Sequence, residues 1–232
     1  MAGNLKVITT RDGSSTIYNH ELNETYHSMN GAITESQHVF MKEGLDHCYQ
    51  TKASGTEIKV FEVGFGTGLN AFLSIEWAGL NHMLVYYESI EAYPLDAKMI
   101  SGLNYFIKDE VNRQVLESLH SCSWNERISL TDHFTIKKVE GKLGHFSPVQ
   151  EYFDIVFYDA FAPSKQPEMW DFQIISKVID ALIVGGIFVT YCAKGQLKRD
   201  LKAMGCEVET LPGPPGKMEM VRATKIHTLW PG

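Results

Sequence analysis

Only four cysteines occur in the 232 residues, Cys48, Cys122, Cys192 and Cys206, and they stand far apart with no C-x-x-C among them. That excludes a disulfide-stapled scaffold and gives no sign of a zinc site or a redox pair, so reduced, mostly buried thiols and no bound metal are expected. Long apolar runs are missing too: no window reaches the ~18 consecutive apolar residues of a membrane span. The opening residues, MAGNLKVITTRDG, lack the basic start and apolar core of a secretion signal, which makes the cytoplasm the expected compartment. Proline is sparse, and no repeat, low-complexity tract or interdomain linker stands out. A surplus of positive charge is absent as well. The net charge is −7, which excludes a protein that coats nucleic acid with its whole surface. The balance is uneven: residues 191–232 hold seven basic and four acidic groups, so a local basic face near Lys194, Lys198 and Arg199 is compatible with the sequence.

What is present is the composition of a globular domain, 44% hydrophobic, at a length that favours one large α/β unit over two small ones. Leu5, Val7 and Thr9 alternate, then Thr16 and Tyr18 follow an Asp12-Gly13 turn, which predicts a β-hairpin. Residues 28–50 read as helical. From Ile58 onward short apolar runs alternate with helical stretches, the pattern of a doubly wound sheet. Strands are predicted over 58–63, 84–90, 127–131, 153–158 and 186–191, with helices over 69–79, 94–101, 110–120 and 170–182. A last helix over 194–204 precedes strands at 206–211 and 218–226, joined by a Pro/Gly loop too short for a helical crossover. The expected organisation is a hairpin and helical extension over residues 1–57, packed on a domain over 58–232. That domain is expected to be Rossmann-like, its mostly parallel sheet seven-stranded with an antiparallel terminal strand.

The strongest local signal is Glu62-Val63-Gly64-Phe65-Gly66-Thr67-Gly68-Leu69-Asn70, a strand running through glycines into a helix. Glycines there let the backbone turn tightly and approach a ligand, and the free amides of a helix start favour polar or anionic groups. Leu69 stands where a dinucleotide site wants its third glycine, and Glu62 would repel a pyrophosphate. Glu62 suits water or a cationic α-amino group instead. Glu91, ending the second strand, is placed to hold ribose hydroxyls, as it would be in a nicotinamide enzyme also. Asp132, just past the predicted third strand, is placed for the adenine edge. Together these features favour S-adenosylmethionine, with Phe65, Thr67, Asn70 and Ala92 on the same loops and Tyr26, Ser28 and Glu35 placed to close over it.

The fourth strand leads into Tyr158-Asp159-Ala160-Phe161-Ala162-Pro163-Ser164-Lys165-Gln166-Pro167-Glu168-Met169-Trp170, over the same crevice. Asp159 is the candidate catalytic acid: a carboxylate there holds an amine and takes its proton, because only the neutral amine has a lone pair for attack on a methyl group. Pro163 stiffens the loop, and Phe161 and Trp170 offer flat apolar faces. Lys194 and Lys217 are the candidate contacts to a negatively charged substrate.

The runs EVGFGTGLN (62–70), EAYPL (91–95), DAFAPSKQPEMW (159–170) and PGKMEM (215–220) resemble the methyltransferase domain of the bifunctional enzymes that make 5-methylaminomethyl-2-thiouridine at the tRNA wobble position. The resemblance covers residues 15–225. It implies a class I fold, S-adenosylmethionine as cofactor and methylation of the aminomethyl nitrogen of a tRNA wobble uridine. It places Glu62, Gly64, Gly66, Gly68, Glu91 and Asp132 at cofactor positions and Asp159 at the active-site acid. The family's bifunctional members carry a flavin-dependent oxidoreductase domain acting on a CH–NH bond, and none follows here by Gly232, so a separate flavin enzyme is the expected source of the substrate. Ala160 replaces the family's usual glycine, and its basic final loop is reduced to Lys217. Within enzymes, methylation of a small-molecule or protein amine is the alternative.

Overall fold

Strands that are apolar on both faces need cover on both sides, and that requirement sets the architecture. The computed structural model describes residues 5–52, 55–105 and 110–227. At the start, β1 (Leu5–Thr9) and β2 (Ser15–Asn19) pair antiparallel, and a two-residue β3 (Glu24–Thr25) completes a small three-stranded sheet. A helical run follows over 32–51: α1 (Ala32–Ser36), a π-helical middle (Gln37–Asp46) and α2 (His47–Thr51). Its buried side, with Val39, Phe40 and Leu45, packs on the main sheet, where Phe40 meets Phe157 at 5.1 Å between ring centres. Burying one such side chain contributes about 1.5–3 kcal/mol, so the extension is tied to the core.

The main sheet alternates with helices as β4 (Ile58–Val63), α3 (Leu69–Asn81), β5 (Val85–Glu91), α4 (Ala97–Ser101), α5 (Glu110–Ser121), β6 (Arg127–Thr131), β7 (Phe134–Glu140), β8 (Phe153–Tyr158), α6 (Phe172–Asp180), β9 (Leu182–Thr190), α7 (Gly195–Ala203), β10 (Cys206–Pro212) and β11 (Glu219–Lys225). Its order is β10-β11-β9-β8-β4-β5-β7-β6. β4, β5, β7, β8 and β9 run parallel, and β11 runs antiparallel between β9 and β10. The helical run, α3 and α5 cover one face, where Phe72, Leu116 and Leu119 are buried. α6 and α7 cover the other with Ile175, Val178 and Leu201.

The described sheet has eight strands where seven were expected, because the stretch 134–140 is also a strand. β7, not 127–131, is the parallel neighbour of β5, and β6 is an antiparallel edge hairpined onto it. The run Phe-Thr-Ile-Lys-Lys-Val-Glu hides this, since Lys138 occupies an inward position. Its fully buried side chain donates to the carbonyls of Leu119 and His120, each at 2.8 Å, and lies over the Trp124 ring. A lysine there serves the last-turn carbonyls of α5 instead of filling a hydrophobic slot. No helix among the described residues is long and apolar enough to cross a membrane.

Candidate active site

In a parallel sheet the loops leaving the carboxyl ends of the strands form the crevice. Here they enclose, with residues 19–29 of the extension, a cavity of about 1550 Å³. β4 turns into α3 through Gly64, Gly66 and Gly68, all with positive φ (94°, 52° and 72°), a region that side chains with a Cβ rarely adopt. A Cβ on Gly64 would stand 2.9 Å from the Asp159 carbonyl oxygen, so this glycine also lets β8 run alongside. The turn is fixed from the next strand: Glu91 accepts from the Gly66 amide at 2.9 Å and from the Tyr93 amide at 2.8 Å. Burial raises the Glu91 carboxyl above its ordinary pKa, and those amides work against that.

Strand parity aims a set of polar groups at the α3 face, since side chains alternate every residue. Glu62 on β4 and Ser89 on β5 meet there, with the serine donating to Glu62 at 2.6 Å. Asn70, in the first turn of α3, donates from Nδ2 both to Glu62 at 3.1 Å and to Asp159 at 2.9 Å. Asp159 is half-buried and faces the cavity. Loss of hydration, with the Glu35 charge adding to it, pushes its pKa up to about 7 against the pull of Asn70 and Lys217. Glu62 is wholly buried and, for that reason first, is pushed up to about 8. Two acids poised near neutrality beside one cavity form an arrangement able to take up a proton.

The extension closes the opposite wall. The Tyr26 ring lies over Gly66 and meets Phe161 edge-on at 5.0 Å. His27, which burial lowers to a pKa of about 4 and so keeps neutral, reaches from Thr16 to Thr67 of the glycine turn. Glu35 accepts from the Ser28 amide and forms an ion pair with Lys217, whose ammonium sits 3.6 Å from the Tyr191 ring centre. Nine carboxylates and three lysines line the cavity, so its field suits a cation and opposes a polyphosphate.

Of the residues singled out in the sequence, Tyr26, Ser28, Glu35, Gly64, Phe65, Gly66, Thr67, Asn70, Glu91, Ala92, Asp159, Phe161 and Lys217 come together on the cavity wall. Glu62 and Gly68 lie behind it. Asp132 does not belong: it sits in the β6–β7 turn, and the next residue, His133, accepts from the amide that starts β5, so it stands at the amino end of the sheet. The misplacement follows from taking β6 for the inner strand. The corresponding carboxyl-end acid is Glu140, in register with Glu91 and followed by Gly141. Pro163, Trp170 and Lys194 are absent from the lining. Trp170 packs on Tyr158 at 5.0 Å and donates to the Phe161 carbonyl at 2.8 Å, so it braces the loop. Lys194 is an exposed residue at the start of α7. Tyr105, which donates to Thr67 at 3.0 Å, carried no signal in the sequence.

Comparison with known proteins bears on this geometry. Residues 107–226, just over half of the chain, match a family model described as S-adenosyl-L-methionine-dependent methyltransferase. The chain is 29% identical over 222 residues to the tRNA 5-methylaminomethyl-2-thiouridine biosynthesis bifunctional protein MnmC of Nitrosospira multiformis, covering 89% of this chain and 35% of that protein. With the protein of the same description from Idiomarina loihiensis the identity is 29% over 212 residues, covering 85% and 35%. The chain thus spans about a third of the length of these curated relatives. Among solved structures it resembles MNMC2 from Aquifex aeolicus, with a TM-score of 0.77 at 24% identity over 97% of this chain and 72% of that one, a likeness of fold. With that family's pattern across its second half and a glycine turn at the carboxyl edge of a parallel sheet, the chain belongs to the S-adenosyl-L-methionine-dependent methyltransferases.

Proposed function

We propose that this domain methylates the aminomethyl nitrogen of a tRNA wobble uridine, converting 5-aminomethyl-2-thiouridine to 5-methylaminomethyl-2-thiouridine. The observation that carries the reading is Asp159, a cavity-facing carboxyl with a pKa of about 7. An alkylammonium entering a cavity whose charged groups are mostly carboxylates is held by charge, and Asp159 in its ionised form is the group that accepts the proton the nitrogen must lose. The names of the curated relatives support the nucleoside.

The residues present fit S-adenosylmethionine. Gly64, Gly66 and the Glu91 carboxylate, which is pinned by two backbone amides, line one cavity, and among its described lining residues no basic cluster awaits a phosphate. Gly64, Phe65, Gly66, Thr67 and Ala92 would hold the nucleoside and its tail, Glu91 the ribose and Glu140 the adenine side; Tyr26 and Glu35 would close over them. When bound, the cofactor supplies an electrophilic methyl group. The chain's own part is to orient the amine at Asp159, take its proton and keep water out with Tyr26 and Phe161. The cavity exceeds the ~300–1,000 Å³ of a common single-ligand pocket, which supports a second occupant. A wobble base lies in a single-stranded loop, so presenting it costs little unpairing, and the Tyr26–Phe161 pair is available for stacking. Lys217 reaches the cavity, while Lys194 with Lys198 and Arg199 would meet the backbone phosphates outside it. A flavin-dependent oxidation upstream would supply the amine.

The acid surplus equally favours a small cationic amine as acceptor. Incubation with labelled S-adenosylmethionine separates the two. Label is expected in tRNA bearing the aminomethyl group and not in unmodified tRNA or a polyamine. Label in the polyamine alone would overturn the tRNA reading.

A further inference from the structure

Glu62 stands two residues before the first glycine, where the sequence suggests a ligand for the cofactor's amino group, yet it is fully buried and absent from the cavity wall. What it touches is Asn70, and Asn70 touches Asp159. Both hydrogens of one amide nitrogen are spent on two carboxylates, at 3.1 and 2.9 Å. The opposite atom, Asn70 Oδ1, is buried with no hydrogen-bond partner among the described residues. Orphaned buried acceptors are rare and ask for a reason. Turning the amide over would set Oδ1 against two carboxylate oxygens, so the donor side dictates the orientation.

We propose that Asn70 is a positioning residue for Asp159 and that Glu62 acts through it. By holding Asp159 Oδ2, Asn70 leaves Oδ1 as the oxygen presented to the amine, and Glu62, itself fixed by the Ser89 hydroxyl, keeps the amide from rotating. The inference rests on the reading of Asp159 as the proton acceptor. The two carboxyls share one donor, and burial first, with the Asp159 charge adding to it, raises the Glu62 carboxyl.

The test uses the full chain, S-adenosylmethionine and aminomethylated tRNA, with cofactor affinity measured by calorimetry alongside the pH profile of kcat. Asn70→Ala is expected to lower kcat at neutral pH about 10- to 100-fold, the worth of a hydrogen bond to a charged group. Its rising acid limb should move to higher pH, because the bond that favours the ionised form of Asp159 is gone, while cofactor affinity changes less than about threefold. Glu62→Ala should lower kcat about tenfold, and Glu62→Gln, whose amide oxygen still accepts from Asn70, should recover most of that loss. An unchanged profile in Asn70→Ala, or a loss confined to cofactor affinity in Asn70→Ala or Glu62→Gln, would overturn the inference. Asp159→Asn is the control that separates failures: full activity there sinks the reading of Asp159 itself, whereas an inactive Asp159→Asn beside a normal Asn70→Ala sinks only the role of Asn70.

Discussion

Asp154 and Asp159 stand five residues apart, one inside β8 and one just past its end, and they are treated in opposite ways. Asp154 receives the Lys52 ammonium at 2.5 Å and the Lys59 amide at 2.8 Å, so its charge is matched where the helical run meets the sheet. Asp159 has one neutral amide, a second carboxylate behind that amide, and Lys217 already committed to Glu35. The difference separates an acid that holds the fold from an acid left under-neutralised. The first costs stability when its partner is removed, and the second costs stability while it is charged.

The largest expected effect comes from removing the poised acid. Asp159→Asn should lower kcat about 10²- to 10⁴-fold, and the wild-type rise in rate as pH climbs through about 7 should flatten. Its stability should move the other way. The folded-state pKa lies above the ordinary 3.8, so the folded chain binds the extra proton and its stability falls as pH rises from there to about 7. At pH 8 the variant should therefore melt higher than the wild type. Next, Lys52→Met strands the charge of Asp154 and should cost about 3–5 kcal/mol in urea unfolding, with activity per folded molecule retained. Equal stability in the variant would erase the contrast between the two aspartates. Gly64→Ala acts on the Asp159 side alone, since its φ of 94° and the Asp159 carbonyl 2.9 Å away leave no place for a methyl group; a loss of about 1–3 kcal/mol and a displaced Asp159 are expected, read by melting and by kcat. The smallest effect is that of Lys217→Gln. Its charge favours the ionised form of Asp159, so the acid limb should move to higher pH, with roughly a threefold loss of rate at pH 7.

The sequence made the parallel core readable where burial obeys simple periodicity. Ile58–Val63 and Phe153–Tyr158 are strands because nearly every position is apolar, and the glycine turn between β4 and α3 follows from chain geometry that few other residues tolerate. β7 was illegible because Lys138 is buried for the sake of carbonyls on α5, a tertiary reason that no local pattern carries. That single inversion moved the expected carboxyl-end acid from Glu140 to Asp132, at the far end of the sheet. Trp170 was misread for a related cause. An aromatic on such a loop reads as a stacking surface, whereas this ring packs on Tyr158 and does not line the cavity. The place of Asp159 beside the crevice was legible because it follows a buried strand, but its surplus of negative neighbours depends on Glu62 and Glu35, which arrive from other parts of the chain.

The contact between Glu35 and Lys217 spans 182 positions. A fragment that began at Ile58 would keep every strand of the large sheet and the whole glycine turn, yet forfeit Tyr26, His27 and the counter-ion of Lys217. Such a truncation would also uncover the sheet face on which Val39, Phe40 and Leu45 pack and strand the charge of Asp154, and supplying residues 5–52 as a separate polypeptide would be the complementation experiment that restores both the cover and the wall.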